Sequence, residues 1–236
     1  MQRASSPPGL RAVPLFAPLH AQVLSVLEGV GETRLCPKGG LIDDRGGEYL
    51  IVLLSGAVAQ SVEDAGRTAI ISTVEAVKAL NLACVMARAH CDLRWRALEP
   101  CLVFIMPGKA FRDAVTADAG LATRAYVELA GAYQHLLSSA ADQRLMSAQN
   151  RLVGYLLSLI PERTGRARAR LPYEKGLLAS LLGMTPENLS RAFARLSLHG
   201  VSVRGAAVSV EEVGYLRDLH LAERGPRRTG RAHRPT

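Results

Sequence analysis

The chain has 236 residues, 48% of them hydrophobic, and a formal net charge of +8 at neutral pH. That is enough chain for one large domain or two ordinary ones, and enough apolar content to exclude global disorder. The positive balance points to an anionic partner, nucleic acid or a membrane surface. Apolar runs such as Leu50 to Leu54 are far too short to span a bilayer.

Residues 1–15 hold Pro7, Pro8 and Gly9 but no apolar core of a signal peptide, so a cytoplasmic protein without a membrane partner is expected. A short helix is predicted over about 17–29 from Leu19, Val23, Leu24 and Leu27. Short apolar stretches then alternate with turn residues. Glu48 to Leu54 ends at Ser55-Gly56, Ala57 to Val62 follows, and Glu63-Asp64-Ala65-Gly66 turns the chain toward Thr68 to Val74. A further strand, Cys101 to Met106, closes this zone before Pro107, and the pattern reads as a small sandwich or barrel. All four cysteines (Cys36, Cys84, Cys91, Cys101) fall in it. They lack the density of a disulfide scaffold, and in a cytoplasm they are expected to be reduced.

The next zone, Asp118 to Ile160, contains no proline. Ala122, Tyr126, Leu129, Tyr133, Leu136, Ala140 and Gln143 follow alternating spacings of four and three, the seam a helix needs to pair with its own copy. A long helix packed on its own domain is the alternative. A break near Gln143 to Ser147 fits the pattern, and Leu152, Leu156, Leu157 and Ile160 make one face of a second helix. After a basic loop, Glu162 to Arg170, the chain is predicted helical to about Leu198. Val201 to Val203 and Ala207 to Val210 then alternate as a hairpin around Arg204-Gly205. From Glu223 the tail is rich in Arg, Gly and Pro and is expected to be disordered.

Between about Pro172 and Leu196 two helices meet at a tight turn. Leu178, Ala179 and Leu182 face inward on the first, which stops at Gly183. Thr185 can cap the second helix, and Pro186 suits its first position because the missing N–H costs nothing there. Leu189, Ala192, Phe193 and Leu196 continue its buried face. The other face carries Glu187, Asn188, Ser190, Arg191 and Arg195. Arg191 can bond guanine O6 and N7 with both arms, Glu187 can accept from cytosine N4 or adenine N6, and Ser190 can meet several bases. Thr185, Asn188, Arg195 and the hairpin's Arg204 are assigned to phosphates, which position a protein without specifying sequence. An ordinary helical hairpin with a solvated face is the competing reading, and the following β-hairpin weakens it.

These residues resemble those of the Crp/Fnr family of bacterial transcription regulators. The stretch LASLLGMTPENLSRAFARL, Leu178 to Leu196, is similar to the family's DNA-reading unit. Glu187, Ser190 and Arg191 match the E-x-x-S-R pattern of its Fnr-like branch, which implies a palindromic site with half-sites like TTGAT. PLFA at Pro14 to Ala17, LSG at Leu54 to Gly56 and LEP at Leu98 to Pro100 fit the rest, so the resemblance covers roughly residues 12–212. It implies an α+β architecture. A jelly-roll-like β-roll sensor spans 12–117, a dimerisation helix 118–146, a winged helix-turn-helix domain 147–222, and a basic tail 223–236. It also implies a homodimer that meets double-stranded DNA and RNA polymerase.

The input is harder to read. Cyclic-nucleotide binders of the family carry Gly-Glu and, about ten residues on, Arg-Ser or Arg-Thr. Here those positions align with Leu80-Asn81 and Cys91-Asp92. A cysteine replaces the phosphate-pairing arginine and an acid stands beside it, so cAMP and cGMP are not expected to bind. Cys84 and Tyr126 complete the candidate effector pocket. The family's iron–sulfur sensors have a tight N-terminal cysteine cluster that this spacing does not form. Haem is the remaining cofactor candidate, with Cys36 (in a Cys-Pro pair), His90 and His135 as weak axial ligands, beside a sensor built on thiols. A metal-dependent barrel enzyme would need several His and carboxylate ligands on neighbouring strands. The strand region offers His90, and no nucleophile–base pair or phosphate-cradling loop stands out, so catalysis is not expected.

Overall fold

The structure, a computed structural model, describes residues 9–224, which divide into two compact units on either side of the His135–Leu136 bond. The first opens with a 3-10 turn at Leu10–Ala12 and helix α1 (Ala21–Val30). Strands β1 (Glu32–Cys36), β2 (Leu41–Ile42), β3 (Tyr49–Ser55), β4 (Ala57–Asp64), β5 (Arg67–Glu75) and β6 (Lys78–Ala79) follow. Helix α2 (Leu82–Ala87) then leads to β7 (Leu93–Ala97), β8 (Cys101–Pro107) and α3 (Gly108–Ala117). The strands make two antiparallel four-stranded sheets, in the orders β1-β8-β3-β6 and β2-β7-β4-β5. Helix α4 (Ala119–Leu145) is continuous across the boundary between the units.

The apolar run at Leu50 to Leu54 has a simple cause. Successive side chains on a strand point to opposite faces. Ile51 and Leu53 enter the core between the sheets with Val58, Trp95, Val103 and Ile105. Leu50, Val52 and Leu54 enter a second core with Leu24, Leu27, Leu82, Val85, Phe111 and Leu121 from the helices. A strand buried on both sides cannot alternate polar and apolar, so it reads as continuous hydrophobe. Between β4 and β5 the turn at Ala65-Gly66 has φ of 47° and 74°. Positive φ at both central residues is the two-residue hairpin geometry whose twist matches the strands.

The second unit holds the end of α4, α5 (Ala148–Ser158), β9 (Ala167–Arg170), α6 (Lys175–Leu181), α7 (Pro186–Ser197), β10 (Val201–Arg204), β11 (Ala207–Val210) and α8 (Val213–Arg224). Its core joins Leu152, Val153 and Leu156 of α5 to Leu178, Leu189 and Leu196 of α6 and α7, Val208 and Val210 of the sheet, and Leu216 of α8. The break expected near Gln143 to Ser147 falls at Met146-Ser147, where the Ser147 hydroxyl accepts from the Asn150 N–H and caps α5.

Four expectations are corrected. The stretch Ala167–Arg170, read as part of a basic loop, is a strand paired with β11, because Ala167 and Ala169 give it an inward face despite its arginines. Strands β1 and β7 were not foreseen; Thr33, Arg34, Arg94 and Arg96 hide a pattern in which few residues are buried. Residues 223 and 224 belong to helix α8, while the remainder of the expected tail lies outside the described residues. Finally, the cysteines are not all reduced: Cys84 and Cys91 are joined in a disulfide, and Cys36 and Cys101 are buried free thiols.

Candidate nucleic-acid interface

Helices α6 and α7 are the two arms of the expected helix-turn-helix. Ala179 is buried where the helices meet, and its carbonyl accepts from the Met184 N–H at 2.9 Å. Gly183 sits at φ 62°, a conformation glycine enters without the Cβ clash other residues meet. Thr185 has extended backbone angles and its Oγ1 accepts from the Asn188 N–H at 3.3 Å, with Pro186 in the first turn. Each is the residue the local geometry asks for, so α7 starts where the sequence placed it.

With Leu189, Ala192 and Leu196 turned into the core, Glu187, Asn188, Ser190, Arg191 and Arg195 are all exposed on α7. Glu187 is held below the usual carboxylate range by the Thr185 hydroxyl donating to it, by its own backbone N–H and by the charge of Arg191. It is therefore a fixed acceptor at neutral pH. The Ser190 hydroxyl donates to the Pro186 carbonyl at 3.0 Å, which leaves its oxygen to accept from a base amino group.

The sheet β10-β11-β9 adds a face that the sequence reading did not assemble. In register, Arg204 lies opposite Ala207 and Ala207 opposite Arg170; Ser202 lies opposite Ser209 and Ser209 opposite Arg168. Arg168, Arg170, Arg204 and Ser202 are exposed and Ser209 half-buried, while Val208 and Val210 point into the core. One side of the sheet thus carries three arginines and two hydroxyls without a carboxylate. Their signal was the alternation Arg168-Ala169-Arg170, visible only once the stretch is known to be a strand.

Arg151 of α5 was also missed. Its Nε donates to the Leu182 carbonyl at 2.9 Å and its Nη2 to that of Gly183 at 3.3 Å. Its Nη1 donates to the carbonyls of Met146 at 2.8 Å and Gln143 at 3.4 Å. One guanidinium therefore ties the turn before α7 to the α4–α5 joint. A single arginine in an amphipathic helix gives no sequence signal of this.

Residues 150–219 match the family model of the Crp-like helix-turn-helix domain. Among solved structures, a protein of Ruegeria pomeroyi described as cyclic-nucleotide-binding is 27% identical, with a TM-score of 0.56 over 89% of this chain and 94% of that one. A regulator assigned to the Crp/Fnr family, from Eubacterium rectale, has a TM-score of 0.68 at 18% identity, over 88% of this chain and 97% of that one. Residues 150–219 thus form a Crp-like helix-turn-helix domain, and the chain as a whole has the fold of these structures. A mutant of CooA from Carboxydothermus hydrogenoformans shares the same fold, with a TM-score of 0.71 at 14% identity over 92% and 97% of the two chains. No curated protein matches in sequence.

Its helix-turn-helix domain makes this a DNA-binding transcription regulator, and among its described residues no helix is long and apolar enough to cross a membrane. On its α4, Leu121 and Ala125 pack into the first core while Tyr126, Tyr133 and Leu136 are 72%, 61% and 57% exposed. Leu129, half-buried, is the seam residue that leans on the core.

The candidate sensor residues of the regulator divide by element. Asn81, 2% exposed, is fully engaged: its Nδ2 donates to Asp44 Oδ2 and to the Tyr49 carbonyl, and its Oδ1 accepts from the Ile51 N–H. Leu80 packs on the core between the sheets, Cys84 and Cys91 are bonded to each other, and Asp92 is exposed 3.1 Å from His90 Nε2. Tyr126 stands apart on α4. The three haem-ligand candidates fall on three segments: Cys36 in β1 opposite Cys101, His90 in the loop after α2, and exposed His135 on α4. Among the described residues no group of three His, Cys, Asp or Glu is placed to hold a metal ion.

Proposed function

We propose that the regulator acts as a homodimer paired along α4 and reads a palindromic site with TTGAT-like half-sites. Glu187, Ser190 and Arg191 are the base-reading residues. Thr185, Asn188, Arg195 and Arg204 contact phosphates, together with Arg168 and Arg170 from the same sheet face. The observation that carries this reading is the presentation of Glu187, Ser190 and Arg191 in the first two turns of a capped, exposed helix. A recognition helix enters the major groove by that end. Domain roles follow: β-roll sensor at 12–117, dimerisation helix at 118–146, DNA reader at 147–222. RNA polymerase is the downstream partner and the cytoplasm the compartment that this reading implies.

The β-roll is proposed not to take a cyclic nucleotide. The name of the Ruegeria pomeroyi protein assigns that ligand to that protein, but the sequence reading puts Cys91 where the family has its arginine, and its sulfur is bonded to Cys84. Titration calorimetry with cAMP is expected to show no binding heat, and saturable binding would refute this part of the reading.

The DNA reading is tested by measuring dissociation constants at one stated salt concentration, on a TTGAT palindrome and a scrambled duplex. Glu187→Ala and Arg191→Ala are each expected to lose about 1–3 kcal/mol of discrimination per base contact. If both keep the wild-type ratio, these residues do not read bases. Replacing Arg168, Arg170 and Arg204 by Ala is expected to weaken both duplexes alike. It should also flatten the salt dependence of log K by about 0.9 for each phosphate left without its arginine.

A further inference from the structure

The four cysteines of the first unit form two juxtaposed pairs that differ in bonding and in the enclosure of one member. Cys36 and Cys101 are directly opposed on β1 and β8, both buried. Burial raises both thiols above their ordinary value, and Cys101 Sγ donates to the carbonyls of Ala57 at 3.3 Å and Glu99 at 3.1 Å. Thiols kept protonated and enclosed are poor nucleophiles. The other pair is built differently. Cys84 is 2% exposed on α2, whereas Cys91 is half-buried in a loop between exposed Ala89, His90 and Asp92. Their Cα atoms are 6.0 Å apart, inside the ordinary range for a bridge. One sulfur is reachable from solvent and the other waits behind it, the arrangement of an attacked and a resolving cysteine.

The pair also closes a mechanically placed segment. At its start, Asn81 is pinned by its three hydrogen bonds; at its end, the disulfide holds the loop back onto α2. Between these points α2 is wedged. A Cβ on Gly47 would lie 3.2 Å from Cys84 Cβ, and a Cβ on Gly108, the first residue of α3, would lie 3.0 Å from Val85 Cγ1. Arg112 of α3 donates from Nη1 to the Val85 carbonyl at 3.0 Å. Helix α3 is joined to α4 by Asp118 alone, a residue with extended backbone angles. A DNA-binding regulator works where glutathione and thioredoxin keep thiols reduced, and disulfides in such compartments are usually transient or redox-sensing.

We infer that Cys84 and Cys91 form a reversible thiol–disulfide site. It is oxidised by low-molecular-weight disulfides and reduced by low-molecular-weight thiols, and its state sets the packing of α2 on α3 and, through it, DNA affinity. On oxidation the Cys91 thiolate attacks one sulfur of the small disulfide and releases one small thiolate. The Cys84 thiolate then attacks Cys91 Sγ and displaces the second. Two protein thiols are oxidised, one small disulfide is reduced to two thiols, and the two protein protons end on the leaving groups. Reduction is the reverse sequence. The coupling to DNA rests on the function proposed above; the chemistry at the sulfurs does not.

The test uses the full chain equilibrated across ratios of reduced to oxidised glutathione, acid-quenched and alkylated. Cleavage after Lys78, Arg88 and Arg94 separates the cysteines, so the bridge appears as peptide 79–88 linked to peptide 89–94. The linked species is expected to interconvert with its alkylated halves at a single midpoint, while Cys36 and Cys101 stay unlinked throughout. Amide hydrogen exchange over 108–117 should be faster in the dithiol form. Affinity for the palindromic duplex should differ by about five-fold or more between forms, and Cys91→Ser should hold the dithiol value at every ratio. A bridge that no glutathione ratio opens or closes overturns the inference, as does identical exchange in α3. Equal duplex affinity in the two forms overturns the coupling to DNA. If neither form discriminates the site from a scrambled duplex, the DNA reading fails instead, and linkage and exchange still decide the thiol site.

Discussion

Thr185 does two things at once: its hydroxyl oxygen accepts from the Asn188 N–H while its proton goes to the Glu187 carboxylate. The helix cap and the proposed base-reading carboxylate therefore share one residue. Thr185→Ala is expected to cost about 0.5–2 kcal/mol of stability. In the same variant the Glu187 pKa, followed by side-chain NMR, should rise toward the ordinary value. The pKa of Glu187 is lowered in the folded state, so the stability linked to its ionised form is present above its unfolded pKa. That contribution is lost as pH falls through the folded value, below the usual carboxylate range. Arg151 makes the second residue-scale prediction. Arg151→Ala leaves the carbonyls of Leu182, Gly183 and Met146 without their charged donor and should cost about 2 kcal/mol or more in urea unfolding. Arg151→Lys should recover little, because an ammonium cannot span acceptors on two elements as the guanidinium fork does.

At the scale of elements, legibility followed the local signal. Strand β3 was readable because it is buried on both faces, the β4–β5 turn because Ala65-Gly66 is a hairpin pair, and α7 because Thr185, Pro186 and the Leu189–Ala192–Leu196 spacing agree. Elements held by tertiary context were not readable. Strand β9 exists because β11 offers it a partner, and α8 is fixed by residues far away in sequence. Asn150 Nδ2 donates to the His220 carbonyl, and the Glu223 carboxylate accepts from the Ser147 N–H and hydroxyl. The candidate site divides the same way. The exposed residues proposed to read bases were visible because they share one helix with a motif spacing, whereas the arginine face, the Arg151 clamp and the Cys84–Cys91 bridge join residues on different segments. For α4, the exposed Tyr133 and Leu136 supply a direct check. Replacing either with Asp places a charge in the proposed seam and is expected to raise the dimer dissociation constant about 100-fold or more in sedimentation equilibrium. An unchanged association state would place the dimer contact elsewhere.

At the scale of the molecule, a β-roll, a continuous helix and a winged reader form one chain of consequences. Under the inferred thiol site, the state of segment 81–91 bears on α3; Asp118 joins α3 to α4; and Arg151 ties the α4–α5 joint to the turn before α7. The proposed palindrome presents two half-sites, which a two-fold protein would match. The most direct measurement is the stoichiometry and selectivity of the full chain on DNA. Native mass spectrometry and competition binding would use a TTGAT palindrome, a single half-site and a scrambled duplex at one stated salt concentration. Two chains per palindrome, held about 1,000-fold or more tighter than on the scrambled duplex, is the expected result. One chain per duplex, or equal affinity for the palindromic and scrambled sequences, would contradict a dimeric, sequence-reading regulator.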